Sequence, residues 1–195
     1  MKKYWPVLVV LLLSLGAIRP LLLPGFIPIH DDTQVVRVQQ MAEALRDGQF
    51  PVRWVRDLGY GYGYPIFNFY APLAYYIGGI FNLLGFDALL ATKLMMIIGV
   101  LLTGVFIYLL AQKFWGEIGG IISALFYVYA PYHGLDIYVR GAVGEFWAMA
   151  FLPLVFYGLV QKSVIISALA CAAVSLSHNL TALMVVPFIL LVVVV

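Results

Sequence analysis

Three small groups of polar residues in this sequence have the types and spacing to do chemistry. The first is His30-Asp31-Asp32. Two adjacent carboxylates can hold a divalent cation together with water, or one can act as a general base toward a hydroxyl. They can equally cap the start of a helix and complement its dipole. Asp32 sits nearer the positive end of such a helix, which favours it as the ionised member. The second group lies between Pro131 and Glu145 and holds His133, Asp136, Arg140 and Glu145. The planar guanidinium of Arg140 suits phosphate, or it can serve an interhelical ion pair. Arg140 and Glu145 are five apart, a spacing that does not oblige them to pair along one helix. The third group is Ser175-Leu176-Ser177-His178-Asn179. His178 can donate to a phosphate or accept a proton, or the group can be polar glue between helices.

The elements that carry these groups are apolar. Hydrophobic residues make up 64% of the chain and charged residues 10%, against roughly 45–50% and 25% in a soluble domain. That composition predicts an all-α, polytopic transmembrane helix bundle in contact with a lipid bilayer, with no nucleic-acid partner. A lone cysteine, Cys171, excludes an internal disulfide framework, and three scattered histidines make no zinc signature. The first apolar run, Tyr4 to Leu23, follows Lys2 and Lys3. Its small residues Ser14 and Gly16 lie inside the run rather than after it, so it reads as a retained helix rather than a cleaved signal. The chain stops inside the apolar run Leu191–Val195, so residues 1–195 are expected to be the N-terminal part of a longer transmembrane domain.

Residues 24–88 form the long polar interval. Nine of the chain's charged residues fall between His30 and Asp57. Asp32 or Thr33 is placed to cap an amphipathic helix reaching about Asp47, with Val35, Val38, Met41, Ala42 and Leu45 as its apolar stripe. Arg37, Gln40, Glu43 and Asp47 lie off that stripe, and Gly48 is a natural stop. Such a helix is expected to lie along the membrane surface. Trp54 and the run Gly59-Tyr60-Gly61-Tyr62-Gly63-Tyr64-Pro65 follow. This run is either an aromatic lining that bends around a ligand or an interfacial aromatic belt.

Beyond it, Phe69–Phe86 is apolar but interrupted by Pro72, Gly78, Gly79, Asn82 and Gly85, so it either spans or forms an interfacial hairpin. Clearer apolar runs cover 89–111, 118–130, 142–160, 163–176 and 180–195. Lys2 and Lys3 place the N-terminus inside by the positive-inside rule. If Phe69–Phe86 does not span, Lys113 and Lys162 also fall inside, and 24–88, 131–142 and His178 all fall outside. Lys93 and the arginines of the first loop count against this arrangement. It is nevertheless preferred, because it gathers all three histidines, the acidic sites and Arg140 on one face.

In this order the motifs resemble the GT-C superfamily of polytopic glycosyltransferases. The resemblance is carried by one N-terminal helix, a long outer loop opening on an acidic motif, a surface helix, an aromatic-proline stretch, and a second acidic outer loop. The stretches HDD, GQFPVRW, GYGYPIFNFYAPLAYY, LDIYVRGAVGE and LSHNLTAL resemble, more narrowly, bacterial and archaeal membrane proteins described as 6-pyruvoyl-tetrahydropterin-synthase-related. No zinc-binding histidine set accompanies that pterin label here. Two departures stand out: the first motif is Asp-Asp rather than the spaced pair common in the superfamily, and Glu145 stands alone where some members have two carboxylates.

The resemblance implies a transferase that moves a sugar from a polyprenyl-phosphate-linked donor to an acceptor at the extracytoplasmic face of the cytoplasmic membrane. It implies Asp31 or Asp32 as base or as ligands of a divalent cation (Mg or Mn), and Glu145 as a further catalytic carboxylate. Arg140, His178 and His133 would meet the donor phosphate. His30, Trp54, Tyr60, Tyr62, Tyr64 and Tyr70 would line a sugar or lipid groove. Two other classes fit a polytopic chain: a transporter or flippase of lipid-linked sugars, and a noncatalytic scaffold. The first calls for interrupted helices in two related halves, and no internal repeat is visible. Clustering of the polar motifs on one face argues against the second.

Overall fold

A computed structural model describes residues 4–194. Lys2 and Lys3, which set the expected orientation of the first helix, lie outside the described residues, as does Val195. The described chain is all-helical, 76% helix without strands. Three stretches are long and apolar enough to cross a membrane: Trp5–Leu22, the long run Ala88–Arg140, and Val143–Val160. This is a membrane protein.

Helix α1 (Trp5–Leu22) starts with Pro6 in its first turn, where the missing N–H costs nothing. Val10, Ser14, Ile18 and Leu21 face protein, whereas Leu8, Leu12, Leu15 and Leu22 are exposed. A helix apolar on both faces suits burial or lipid rather than water. It packs along α5 (Ala88–Val128), whose start is capped by Asp87 accepting from the Leu90 N–H at 3.0 Å. Gly116 breaks α5 with φ 68° and ψ −175°, a conformation only glycine adopts easily. The chain then folds back, bringing Gly120 against Tyr108 and Gln112. The two arms coincide with the apolar runs expected on either side of Lys113. After the short α6 (Pro131–Leu135) and a π-helical turn (Asp136–Arg140) come α7 (Val143–Val160), α8 (Val164–Ser177) and α9 (Asn179–Val194).

The polar interval is folded onto this bundle. Its helix α2 (Gln34–Arg46) has the expected bounds but not the expected environment. Val38, Met41 and Ala42 are fully buried, and Gln34, Arg37 and Gln40 are buried as well. The short α3 (Ile66–Phe69) leads into α4 (Leu73–Leu83), whose Gly78 and Gly79 let Val38 and Met41 approach closely. The helix packs against α4 and α5 with these polar residues turned inward. Its polar residues are buried because the loop itself supplies their partners: Gln40 donates to Glu43 and Asp57 at 2.8 Å. Nor does a side chain cap it, since the Thr33 hydroxyl donates to Asp31 instead.

With 11 residues, α4 extends about 16 Å at about 1.5 Å per residue, well short of a hydrocarbon core of about 30 Å. It does not cross. Lys113 and Val139 are then expected on opposite faces. Single cysteines placed at these exposed positions in intact cells check this: an impermeant maleimide should label position 139 and spare 113. Labelling at 113 would reverse the orientation.

Candidate functional site

Main-chain bonds bring the first two sequence motifs together. The His30 N–H donates to the Val139 carbonyl at 2.8 Å, and the Asp31 N–H donates to the Arg140 carbonyl at 2.9 Å. The Gln34 side-chain amide adds a bond to the Gly141 carbonyl at 2.7 Å. The Arg140-Gly141-Ala142-Val143-Gly144-Glu145 stretch is shaped to permit this. Gly141 has φ 70°, and a Cβ there would meet the Asp31 carbonyl oxygen at 2.9 Å. A Cβ on Gly144 would meet the Ser177 carbonyl at 2.6 Å, so this glycine lets α7 close on the end of α8. The third motif thereby joins the other two.

Together they enclose a cavity of about 490 Å³, with His30, Asp31, Tyr70, Arg140, Glu145 and His178 in its wall. Gln34 and Tyr75 also line it, although their residue types and spacing gave no cue to a site.

Two networks hold the charged side chains. Asp31 accepts from Thr33 at 2.7 Å on Oδ1, and from Gln34 at 2.9 Å and Arg37 at 2.7 Å on Oδ2. Arg37 is buried, its guanidinium 4.1 Å from the centre of the Tyr70 ring. Under it, the Tyr75 hydroxyl donates to Gln34 Oε1 at 2.8 Å. Burial pushes this hydroxyl up to about 12, so it stays neutral at physiological pH.

The second network centres on Arg140. Its Nη1 donates to Asp136 Oδ1 at 2.6 Å and to the Tyr132 hydroxyl at 3.0 Å, while Nη2 lies 3.0 Å from Glu145 Oε2. The Tyr132 hydroxyl in turn donates to Glu145 Oε1 at 2.7 Å. Asp136 is fully buried, and its Oδ2 has no partner. Sequence reading passed over Asp136 as a site residue; its signal was the i, i+4 spacing to Arg140. Arg140 and Glu145 pair despite being five apart, because the helix is interrupted between them at Gly141-Ala142.

The remaining candidates lie elsewhere. Asp32 is exposed beside the cavity, not in its wall. His133 is buried, edge-on to Tyr127 and Phe146 at 4.7 and 5.8 Å, and lines a separate cavity of about 280 Å³ against α1. Trp54 borders a small third cavity. Tyr60, Tyr62 and Tyr64 occupy a turn closed by the Val55–Tyr64 pair, with the Tyr60 and Tyr62 rings in the open.

Among the described residues no three His, Cys, Asp or Glu side chains stand close enough to hold a metal ion. Three of the acceptor positions on Asp31 are taken by Thr33, Gln34 and Arg37. Arg140 offers guanidinium N–H groups at the cavity wall, which His178 and the carboxylates of Asp31 and Glu145 also line. That arrangement can receive an anionic oxygen and accept a proton.

No family model matches this chain, and no solved structure matches it. The chain is similar to an uncharacterized protein of Lactococcus lactis subsp. cremoris (strain MG1363), 23% identical over 167 residues, which cover 80% of this chain and 27% of the relative. The chain thus spans about a quarter of the length of this curated relative.

Proposed function

We propose that this chain carries the catalytic site of a GT-C-like membrane glycosyltransferase. It would transfer a sugar from a polyprenyl-phosphate donor to an acceptor at the extracytoplasmic face of the cytoplasmic membrane. One observation carries the reading: Asp31, Arg140, Glu145 and His178, far apart in sequence, share the wall of one cavity. The resemblance of the motifs to GT-C enzymes supplies the reaction class.

The chemistry these residues support is an inverting displacement at the anomeric carbon. The acceptor oxygen forms the new bond to that carbon as the bond to the donor phosphate breaks. The electron pair leaves on the phosphate, whose developing charge is met by Arg140 with His178 assisting. The acceptor's proton goes to Asp31. A carboxylate has about four acceptor positions, and Asp31 uses one on Oδ1 and two on Oδ2, so Oδ1 keeps a place for that proton. The polyprenyl phosphate departs within the membrane, and no soluble nucleotide is needed.

The test is transfer of radiolabelled sugar from a lipid-linked donor to acceptors in membranes containing the full-length protein. Label should accumulate in the acceptor and disappear from the lipid. Movement of intact lipid-linked sugar across vesicles without transfer would instead identify a flippase.

A further inference from the structure

Arg140 does not wait unoccupied for a phosphate. Asp136, Tyr132 and Glu145 all engage its guanidinium. One positive and two negative groups leave the cluster with an excess negative charge, while Asp31 and Arg37 balance each other. The donor's phosphodiester brings about one further negative charge, and the lipid phosphate it becomes as the sugar leaves is a monoester of roughly −1.5 to −2. Such an anion cannot gain full use of Arg140 while both carboxylates remain on it.

The two carboxylates differ in their freedom. The Asp136 side chain is 0% exposed and sits on the inner nitrogen at 2.6 Å, whereas that of Glu145 is 21% exposed, on the cavity side, at 3.0 Å. Glu145 lies in the first turn of α7, just after the interruption at Gly141-Ala142, and Tyr132 is its other tether.

We propose that Glu145 is a displaceable latch on Arg140. The phosphate of the lipid carrier takes its place on the outer edge of the guanidinium, and the released carboxylate turns to accept hydrogen bonds from sugar hydroxyls. Asp136 stays behind as the fixed partner that keeps the guanidinium aimed into the cavity. This rests on the transferase reading for its substrate, and it adds an order: the donor phosphate seats first, and the carboxylate that orients the sugar becomes free only then.

The experiment is a titration of the solubilised full-length protein with geranyl phosphate. Glu145→Gln removes the competing charge but keeps an oxygen for Tyr132. It should bind the probe about tenfold more tightly than the native protein, since a like charge a few ångströms away is removed. Arg140→Gln should lose binding in either background. Equal or weaker binding by Glu145→Gln overturns the latch. Tyr132→Phe, which cuts the second tether, provides the same comparison should Glu145→Gln fail to fold: tighter binding supports the latch, and equal or weaker binding overturns it. Tighter binding in these variants without sugar transfer by the native protein keeps the latch and removes the transferase. Transfer with unaltered binding does the reverse.

Discussion

Asp31→Asn should lower sugar transfer by about 10²–10⁴-fold, the range lost with a general base, while Asp32→Asn stays close to the native rate. Both substitutions keep an oxygen of similar shape. The difference lies in placement: Asp31 is in the cavity wall, held by Thr33, Gln34 and Arg37, whereas Asp32 is exposed beside it. The dipole argument that favours Asp32 from sequence does not weigh which carboxylate faces the cavity. Asp31→Asn also leaves the buried Arg37 without its counter-charge, at a cost of about 1–3 kcal/mol. Binding of the phosphate probe, measured on the same preparation, separates lost chemistry from lost folding. Full transfer by Asp31→Asn would remove it from the base role, and a dead Asp32→Asn would move the reaction out of this cavity.

Gly141→Ala should be the most damaging small substitution. At φ 70° any other residue carries a strain of about 1–3 kcal/mol. The added Cβ would also meet the Asp31 carbonyl oxygen at 2.9 Å, and backbone cannot swing aside as a side chain would. Relief requires the His30–Asp31 segment to part from Val139–Arg140, which carries Asp31 away from Arg140. Transfer and phosphate binding should both fall, with a lowered melting temperature. Gly134→Ala, a few residues earlier in α6, meets nothing within 4 Å and has no such backbone constraint. It should be neutral or slightly stabilising, because alanine is the better helix former. If the two variants melt together, the close approach at Gly141 does not control the site.

The spanning helices were largely legible because lipid demands long apolar runs, and those runs bound α1, both arms of α5 and α7 within a few residues. Arg140, Glu145, His178 and the acidic pair were legible by type, since charge is scarce in such a chain. What the sequence hid is of three physical kinds. The ladder from His30 and Asp31 to Val139 and Arg140 is main chain to main chain, and leaves no side-chain signature. Arg37 and Gln40 lie on a helix whose apolar spacing predicts them outside; periodicity counts hydrophobic residues and does not register polar ones that find buried partners. Tyr60 and Tyr62 looked suited to a groove by composition, but the turn that carries them directs their rings into the open, and composition holds no orientation.

Around Asp31 the hydrogen bonds all run one way. Tyr75 gives its proton to Gln34, and Gln34 gives its protons to Asp31 and to the Gly141 carbonyl. The Gln34 amide therefore works as a polarity element, with its oxygen facing the buried phenol and its nitrogen facing two acceptors. Glutamate at position 34 would keep the shape and the bond from Tyr75, but would set oxygen against oxygen where the amide nitrogen now donates to Asp31 and the Gly141 carbonyl. The shell around this carboxylate discriminates by the direction of protons rather than by size, and it holds Asp31 ready to receive a proton only on the side that faces Thr33.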